Sequence, residues 1–221
     1  MSRESGARAE VIAVVAGSVA ALPSTGVVLV AVDGVDGAGK TVFADELARA
    51  VESAGRPVIR AGVDGFHHPR RIRYRRGRTS AEGFFHDSYD YAALRGALLD
   101  PLRPGGDGRF RRAVFDHTED RPVDVPEQQA APGAVLIFDG IFLHRPELAE
   151  YWDYSVFLRA GFEVTFARMA LRDGFDPAPD APANRRYVEG QQLYLGTCRP
   201  AQAASVVIDN SDFRRPRILG G

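Results

Sequence analysis

The chain is expected to fold as an α/β protein, with a central parallel sheet and helices on both faces. Three observations lead there. Short apolar runs alternate along the chain with segments of helical periodicity. Most of those runs are continuously apolar rather than alternating, as strands buried on both faces must be. The first run is followed at once by a glycine-rich loop and an amphipathic segment, the strand–loop–helix order of an α/β unit.

Taken in order, the N-terminal segment 1–26 holds an apolar stretch from Val11 to Leu22. At about 12 residues it is too short to span a bilayer, which takes about 20. Glu4 and Glu10 precede it where a leader would be basic. The spacing of Val11, Val14, Val15, Val19 and Leu22 predicts a helix packed on the domain, ended by Pro23 and Gly26. Strands are expected at Val27–Val32, Pro57–Val63, Ala134–Phe138, Tyr154–Leu158 and Ser205–Ile208, and helices at Lys40–Ser53, Ser88–Leu99, Phe162–Arg172 and Arg185–Leu195. Pro101, Pro104, Gly105, Gly106 and Gly108 mark a break. The stretch 67–133 interrupts the alternation and reads as a substrate-side insertion within a single domain over 1–221. The Pro/Ala-rich Asp176–Ala183 reads as a mobile loop inside a lid over 173–190.

Composition removes several classes of function. Lys plus Arg is 28 against 29 Asp plus Glu, for a net charge of −1, which argues against a nucleic-acid binder working by bulk charge. Cys198 is the single cysteine, so neither an internal disulfide nor a multi-cysteine metal site can form. With no membrane or secretion signal, a cytoplasmic location is expected; a homo-oligomer is left open. Of the 28 basic residues only Lys40 is a lysine. Lysine brings a compact charge on a flexible stem, arginine a planar fork, and the one lysine falls in the motif that calls for it.

That motif is Gly34-Val35-Asp36-Gly37-Ala38-Gly39-Lys40-Thr41, which satisfies G-x-x-x-x-G-K-[ST] in full. Glycines let the backbone wrap so that successive N–H groups of Asp36, Gly37, Ala38, Gly39 and Lys40 form a concave anion site, and the helix that follows adds its positive end. Lys40 is expected at the β- and γ-phosphates of ATP and the Thr41 hydroxyl on Mg²⁺. The fold class sharpens to the three-layer sandwich of phosphate-loop nucleotide hydrolases and kinases. A GTPase reads guanine with Asn-Lys-x-Asp, which needs a second lysine. ATP-driven machines place an acid directly after the second acidic strand end, whereas Asp139 is followed by Gly140-Ile141-Phe142. A kinase remains.

Two strand ends carry acids, Asp64 after Pro57–Val63 and Asp139 after Ala134–Phe138. In a parallel sheet both face the ligand beyond the carboxyl ends of the strands. Two carboxylates beside phosphates imply a neutralising cation, so Asp139 is expected in the metal shell with Thr41. Asp64 is expected to accept the proton of the substrate hydroxyl. A carboxylate near pKa 3.9 is a weak base, but phosphoryl transfer needs positioning and charge neutralisation more than a strong nucleophile.

These residues, with Asp64-Gly65-Phe66-His67 and Val114-Phe115-Asp116, resemble the uridine kinase-like group of phosphate-loop kinases, whose relatives include phosphoribulokinase and bacterial pantothenate kinase. The resemblance spans about Val27 to Asn210. It implies an ATP-dependent kinase acting on a small hydroxylated metabolite, with the 5′-hydroxyl of uridine or cytidine as the leading acceptor and pantothenate, a sugar or another nucleoside as alternatives. It further implies Asp64 as the catalytic carboxylate, Phe115 and Asp116 near the nucleobase, and Asp87 at the ribose hydroxyls. This chain has Asp139-Gly140 where the family often has Glu-Gly, and His67, expected to contact substrate, where many uridine kinases carry Tyr. Thymidylate kinases also carry Asp-Gly in the phosphate loop, as Asp36-Gly37 does, but their Asp-Arg-aromatic motif is absent.

Arg168 and Arg172 lie four apart on one helix face just before the lid. Lid arginines neutralise the transferring phosphate in kinases, and the resemblance implies that role for both. The densest basic run, Arg70 to Arg78, interleaves Ile72 and Tyr74. An RNA binder would use such a run with steep salt dependence, as a non-kinase alternative beside an ATP-binding regulator without turnover. Its place directly after the Asp64 strand end points instead to a pocket rim or a solvated surface. Adjacent His67 and His68 point apart in extended backbone and make no metal site.

Overall fold

A computed structural model describes residues 3–23 and 26–220; residues 1, 2, 24, 25 and 221, which complete the expected segment 1–26 and span 1–221, lie outside the described residues. The main sheet holds β1 (Val28–Gly34), β2 (Val58–Gly62), β3 (Val135–Gly140), β4 (Tyr154–Arg159), β5 (Val206–Asp209) and β6 (Arg217–Gly220), in the order β6-β5-β4-β1-β3-β2. All neighbours are parallel except β6, which pairs antiparallel with β5 and was not expected from the sequence. Every residue of β1 is buried, because it lies between parallel neighbours and is covered on both faces.

Alternation along β1 divides the core in two. Val28, Val30 and Val32 face one layer, with Val135, Ile137 and Val156 of the neighbouring strands. They pack on α1 (Arg3–Ala20) through Val11, Val15 and Val19, and on α2 (Lys40–Ser53) through Phe43, Leu47 and Val51. Leu29 and Ala31 face the other layer with Leu136 and Phe138, where 67–133 contributes Phe84, Phe85, Leu94 and Leu98. The insertion thus shares the core of the sheet. Its principal helix, α3 (Ala81–Asp87), opens on Ser80, whose hydroxyl accepts from the Gly83 N–H at 2.9 Å. Of the later helices, α4 (Phe162–Asp173) sends Phe162 to the first layer, while α5 (Arg185–Cys198) lies on the second through Tyr194.

Two expected elements shift. Val14 is 56 % exposed, and the buried stripe of α1 is instead Val11, Ile12, Val15, Ala16 and Val19; at 100° per residue Val14 falls outside that stripe. The helix expected at Ser88–Leu99 begins only at Tyr91, where the Asp90 carboxylate caps the Ala93 N–H at 2.9 Å. Before it, Ser88 closes the preceding helix and Tyr89 bridges His67. Among the described residues no helix is long and apolar enough to cross a membrane.

Leu47 is fully buried between α2 and the sheet. Leu47→Ala is expected to cost about 2–5 kcal/mol, a fall in Tm of about 4–20 °C for a chain of this size, checked by thermal unfolding.

The register places the chemistry. Asp139 pairs with Val32 of β1 and with Gly62 of β2. The ends of β1, β2 and β3 therefore finish at one level, and the segments that follow them open onto a common edge.

Candidate active site

Leaving β1 at Gly34, the chain folds over its own strand end and enters α2 at Lys40. Gly37 (φ 72°) and Gly39 (φ 92°) take left-handed backbone; a Cβ on Gly37 would stand 2.5 Å from the Thr165 carbonyl oxygen. Only glycine meets both demands. The loop is braced from outside: Asn210 Nδ2 donates to the Ala38 carbonyl at 2.7 Å, and the Asp36 N–H donates to Gln191 Oε1 at 2.6 Å. Inside the loop Lys40 Nζ donates to the Val35 carbonyl at 2.8 Å. The first N–H groups of α2 have no carbonyl a turn before them, so together with Lys40 they make a cationic nest for phosphate.

Thr41 Oγ1 donates to Asp139 Oδ2 at 2.7 Å, and Arg60 Nη2 donates to Asp139 Oδ1 at 2.9 Å. The hydroxyl and the carboxylate are hard oxygen donors on adjoining elements, the donor chemistry Mg²⁺ takes. Among the described residues no group of three or more His, Cys, Asp or Glu could enclose a metal alone. A cation here would complete its shell with phosphate oxygens and water, as Mg²⁺ ordinarily does.

Asp64 follows β2 in a short 3-10 turn, Val63–Phe66. His67 Nε2 stands 3.4 Å from Asp64 Oδ1, while His67 Nδ1 contacts the Ser88 carbonyl at 3.1 Å. A carbonyl only accepts, so Nδ1 is the donor in that contact and Nε2 is the nitrogen that faces Asp64. The ring is clasped between Tyr89 and His117, with centroids 4.4 and 4.7 Å away. Loss of water in the cavity alone would raise the Asp64 carboxyl, but the hydrogen bond and charge of His67, with His117 and Lys40 behind it, hold it below the usual carboxylate range. Burial pushes the Tyr89 hydroxyl well above its usual value, so it stays protonated.

Asp36, Gly37, Gly39, Lys40, Thr41, Asp64, Tyr89, Asp139, Arg168 and Arg172 all border one cavity of about 570 Å³, a size suited to small-molecule ligands. The two arginines are differently employed. Arg168 donates to the carbonyls of Asn210 and Ser211, each at 2.8 Å, and to Gly37 at 3.4 Å, and its guanidinium lies over Phe213. Arg172 reaches the cavity but pairs with its neighbour Asp173 at 2.7 Å. Gly174 (φ 73°) ends α4, and Asn184 Nδ2 donates to the carbonyls of Asp176 and Ala178, tying down the loop expected as a lid.

The residues expected at a nucleoside are not brought to this cavity. Asp87 is buried, its side chain 2 % exposed, with Arg75 at 2.5 Å on one oxygen and Arg76 at 2.9 Å on the other. Phe115 is buried, and Asp116 closes a local turn by accepting from the N–H groups of Thr118 and Glu119. The arginine run is largely matched by protein groups: besides Asp87, Asp120 accepts from the Arg70 N–H and from Arg73.

Sequence reasoning missed Arg60, Tyr89, His117 and Asp33. Asp33, fully buried at the root of the loop, accepts from the Gly34 N–H at 2.7 Å and from the Tyr194 hydroxyl, and His144 Nδ1 lies 2.6 Å from it. Arg60 and Asp33 left a visible signal, each a charge inside an apolar strand.

A family model described as phosphoribulokinase/uridine kinase matches residues 29–176. Among curated proteins no significant sequence match exists. In shape the chain is similar to a possible uridine kinase from Bacillus stearothermophilus, with TM-score 0.71, 20% identity, and coverage of 90% of this chain and 97% of that one. It is similar also to a protein provisionally described as a fructose transport system kinase from Silicibacter sp. TM1040 (TM-score 0.65, 25% identity, 87% and 94% covered). A D-glycerate 3-kinase from Cryptococcus neoformans var. grubii is more distant, at TM-score 0.50 and 15% identity, with 85% and 87% covered. These likenesses establish the α/β fold of phosphate-loop kinases. With its model spanning well over half of the sequence and the phosphate loop, Asp64 and Asp139 all inside the match, the chain belongs to the phosphoribulokinase/uridine kinase family.

Proposed function

We propose that the protein transfers the γ-phosphoryl group of MgATP to a hydroxyl of a small metabolite. The observation that carries this reading is the single cavity shared by the Lys40 nest, the Thr41–Asp139 pair and Asp64. Asp64 orients the acceptor hydroxyl and takes its proton as the acceptor oxygen bonds to phosphorus and the bond from phosphorus to ADP breaks. Lys40 and the loop amides hold the phosphate oxygens before and during transfer. Thr41 and Asp139 would hold Mg²⁺, which would supply charge neutralisation for the transferring phosphate. Arg172, released from Asp173, is the cation placed to follow charge onto the transferring group; Arg168 serves the nucleotide end by bracing the loop. His67 keeps Asp64 ionised.

Uridine and cytidine, phosphorylated at the 5′-hydroxyl, are the first acceptors to test, since the family and one structural neighbour point to nucleosides. Sugars and glycerate follow from the other two. The test is ADP release by the full chain with MgATP and an acceptor panel. Release that depends on an added acceptor is the expected result; ATP binding without any acceptor-dependent release would favour a regulator without turnover.

A further inference from the structure

We propose that Asp36 is a second acceptor-binding carboxylate, and that with Asp64 it selects a neutral polyol carrying a donor hydroxyl beside the one that is phosphorylated. The inference rests on the kinase reading above and narrows its substrate class.

Asp36 is the third residue of the phosphate loop, yet it does not serve the nest. Its N–H is spent on Gln191, a side chain only 1 % exposed, and cannot also point at phosphate. The neighbouring Gly37 is wedged against Thr165 and Met169, so this stretch of loop is held and the Asp36 side chain is presented to the cavity it lines. There the carboxylates differ in their partners. Asp139 is engaged by Thr41 and Arg60, and Asp64 by His67. The Asp36 carboxylate makes no hydrogen bond or ion pair with the described residues, although it feels the charges of Lys40, Asp64, Arg172 and His67.

A carboxylate beside a triphosphate is repelled by it, so its partner must be a donor brought by the other substrate. Half-buried at the cavity wall, the Asp36 carboxylate can trade its water for a hydroxyl of the acceptor, a charge-assisted hydrogen bond. The cavity's cations already have other work. Arg8 is on Glu46, Arg168 is on the Asn210 and Ser211 carbonyls, Lys40 is within the nest, and Arg172, which leaves Asp173 in the reading above, goes to the transferring phosphoryl group. An acidic acceptor would set a third negative charge beside Asp36 and Asp64 with no cation kept for it. A polyol instead offers two adjacent O–H groups to two carboxylates, one giving up its proton at Asp64 and the other donating to Asp36. Burial and the nearby Asp64 charge push the Asp36 carboxyl up, as fits a carboxylate whose solvation is to be replaced by a substrate hydroxyl.

The test uses the full chain with MgATP and two acceptor sets: glycerol, sorbitol and fructose against D-glycerate and pantothenate. Uridine, whose 5′-hydroxyl has no hydroxyl on the neighbouring carbon, should be a poorer acceptor than the first set, and its being the best would overturn the assignment. The expected result is turnover of at least one neutral polyol and none of comparable efficiency with the acids. Asp36→Asn should raise the KM of that acceptor about 10- to 100-fold, the scale of a hydrogen bond to a charged group, with the KM for MgATP unchanged or lower. The acceptor lacking the hydroxyl next to the phosphorylated one should show the same loss in the wild type and no further loss in the variant. Efficient turnover of an acid, an unchanged acceptor KM in the variant, or a loss confined to MgATP would each overturn the assignment. So would MgATP binding with no turnover of any neutral polyol; failure to bind MgATP at all would instead remove the kinase reading beneath it.

Discussion

Asp64→Asn is expected to lower kcat by about 10²- to 10⁴-fold, the range general-base catalysis supplies, while MgATP binds as before. The amide keeps the size and the acceptor oxygen of the side chain but cannot take a proton. Because His67 holds the carboxyl below its usual range, the proton-accepting form is fully present from mildly acidic pH upward and is lost only as pH falls through that lowered value. Wild-type kcat/KM should therefore carry no Asp64 limb between about pH 5 and pH 8, well above the ordinary carboxylate value of about 3.9. Breaking the support should move the limb. In His67→Ala the Asp64 carboxyl loses its largest stabilising partner, and the acid limb shifts to higher pH. Paired kcat measurements and nucleotide titrations decide the matter; an Asn variant that turns over like the wild type would take Asp64 out of the chemistry.

The parts of the site that could be read from the sequence are those encoded locally. The phosphate loop is a spacing motif, and its conformation follows from glycines at positions that must turn left-handed. The expected strands were found to within about two residues because burial on both faces leaves continuous apolar runs. With the strands parallel, Asp64 and Asp139 had to finish on the loop's edge. What could not be read depends on chains meeting across long separations. Arg60 reaches Asp139 through side-by-side pairing of β2 and β3, and Tyr89 enters the cavity while bridging His67. Asp87 shows the opposite case. The family resemblance implies it at the ribose hydroxyls, but Arg75 and Arg76, 12 and 11 residues upstream, fold back onto both its oxygens. Asp116 is claimed more locally still, since a short carboxylate readily bonds its own backbone two residues on.

Lys40→Arg should be nearly as damaging as removal of the lysine, with kcat down about 10²- to 10³-fold, the scale set by losing one preorganised donor to the transition state. The charge is conserved, so a purely electrostatic role for residue 40 would predict a mild effect. Geometry predicts otherwise. In the structure the Nζ turns back into the loop and reaches the Val35 carbonyl at 2.8 Å, within a wrap pressed against Thr165 and Asn210 so closely that a single Cβ has no room at Gly37. A point ammonium with three rotatable donors fits that enclosure; a planar guanidinium, wider and rigid, does not. The composition makes the same case, since 27 of 28 basic positions are arginine and only this one is not. It also supplies a direct assay. Lys40 carries the only side-chain amine in the chain, so acylation by an amine-selective reagent, located by mass spectrometry, reports its accessibility. MgATP should protect Lys40 and leave the terminal amine reactive. Wild-type turnover in the arginine variant, or labelling of Lys40 at the same rate with and without MgATP, would show that residue 40 does not grip the triphosphate.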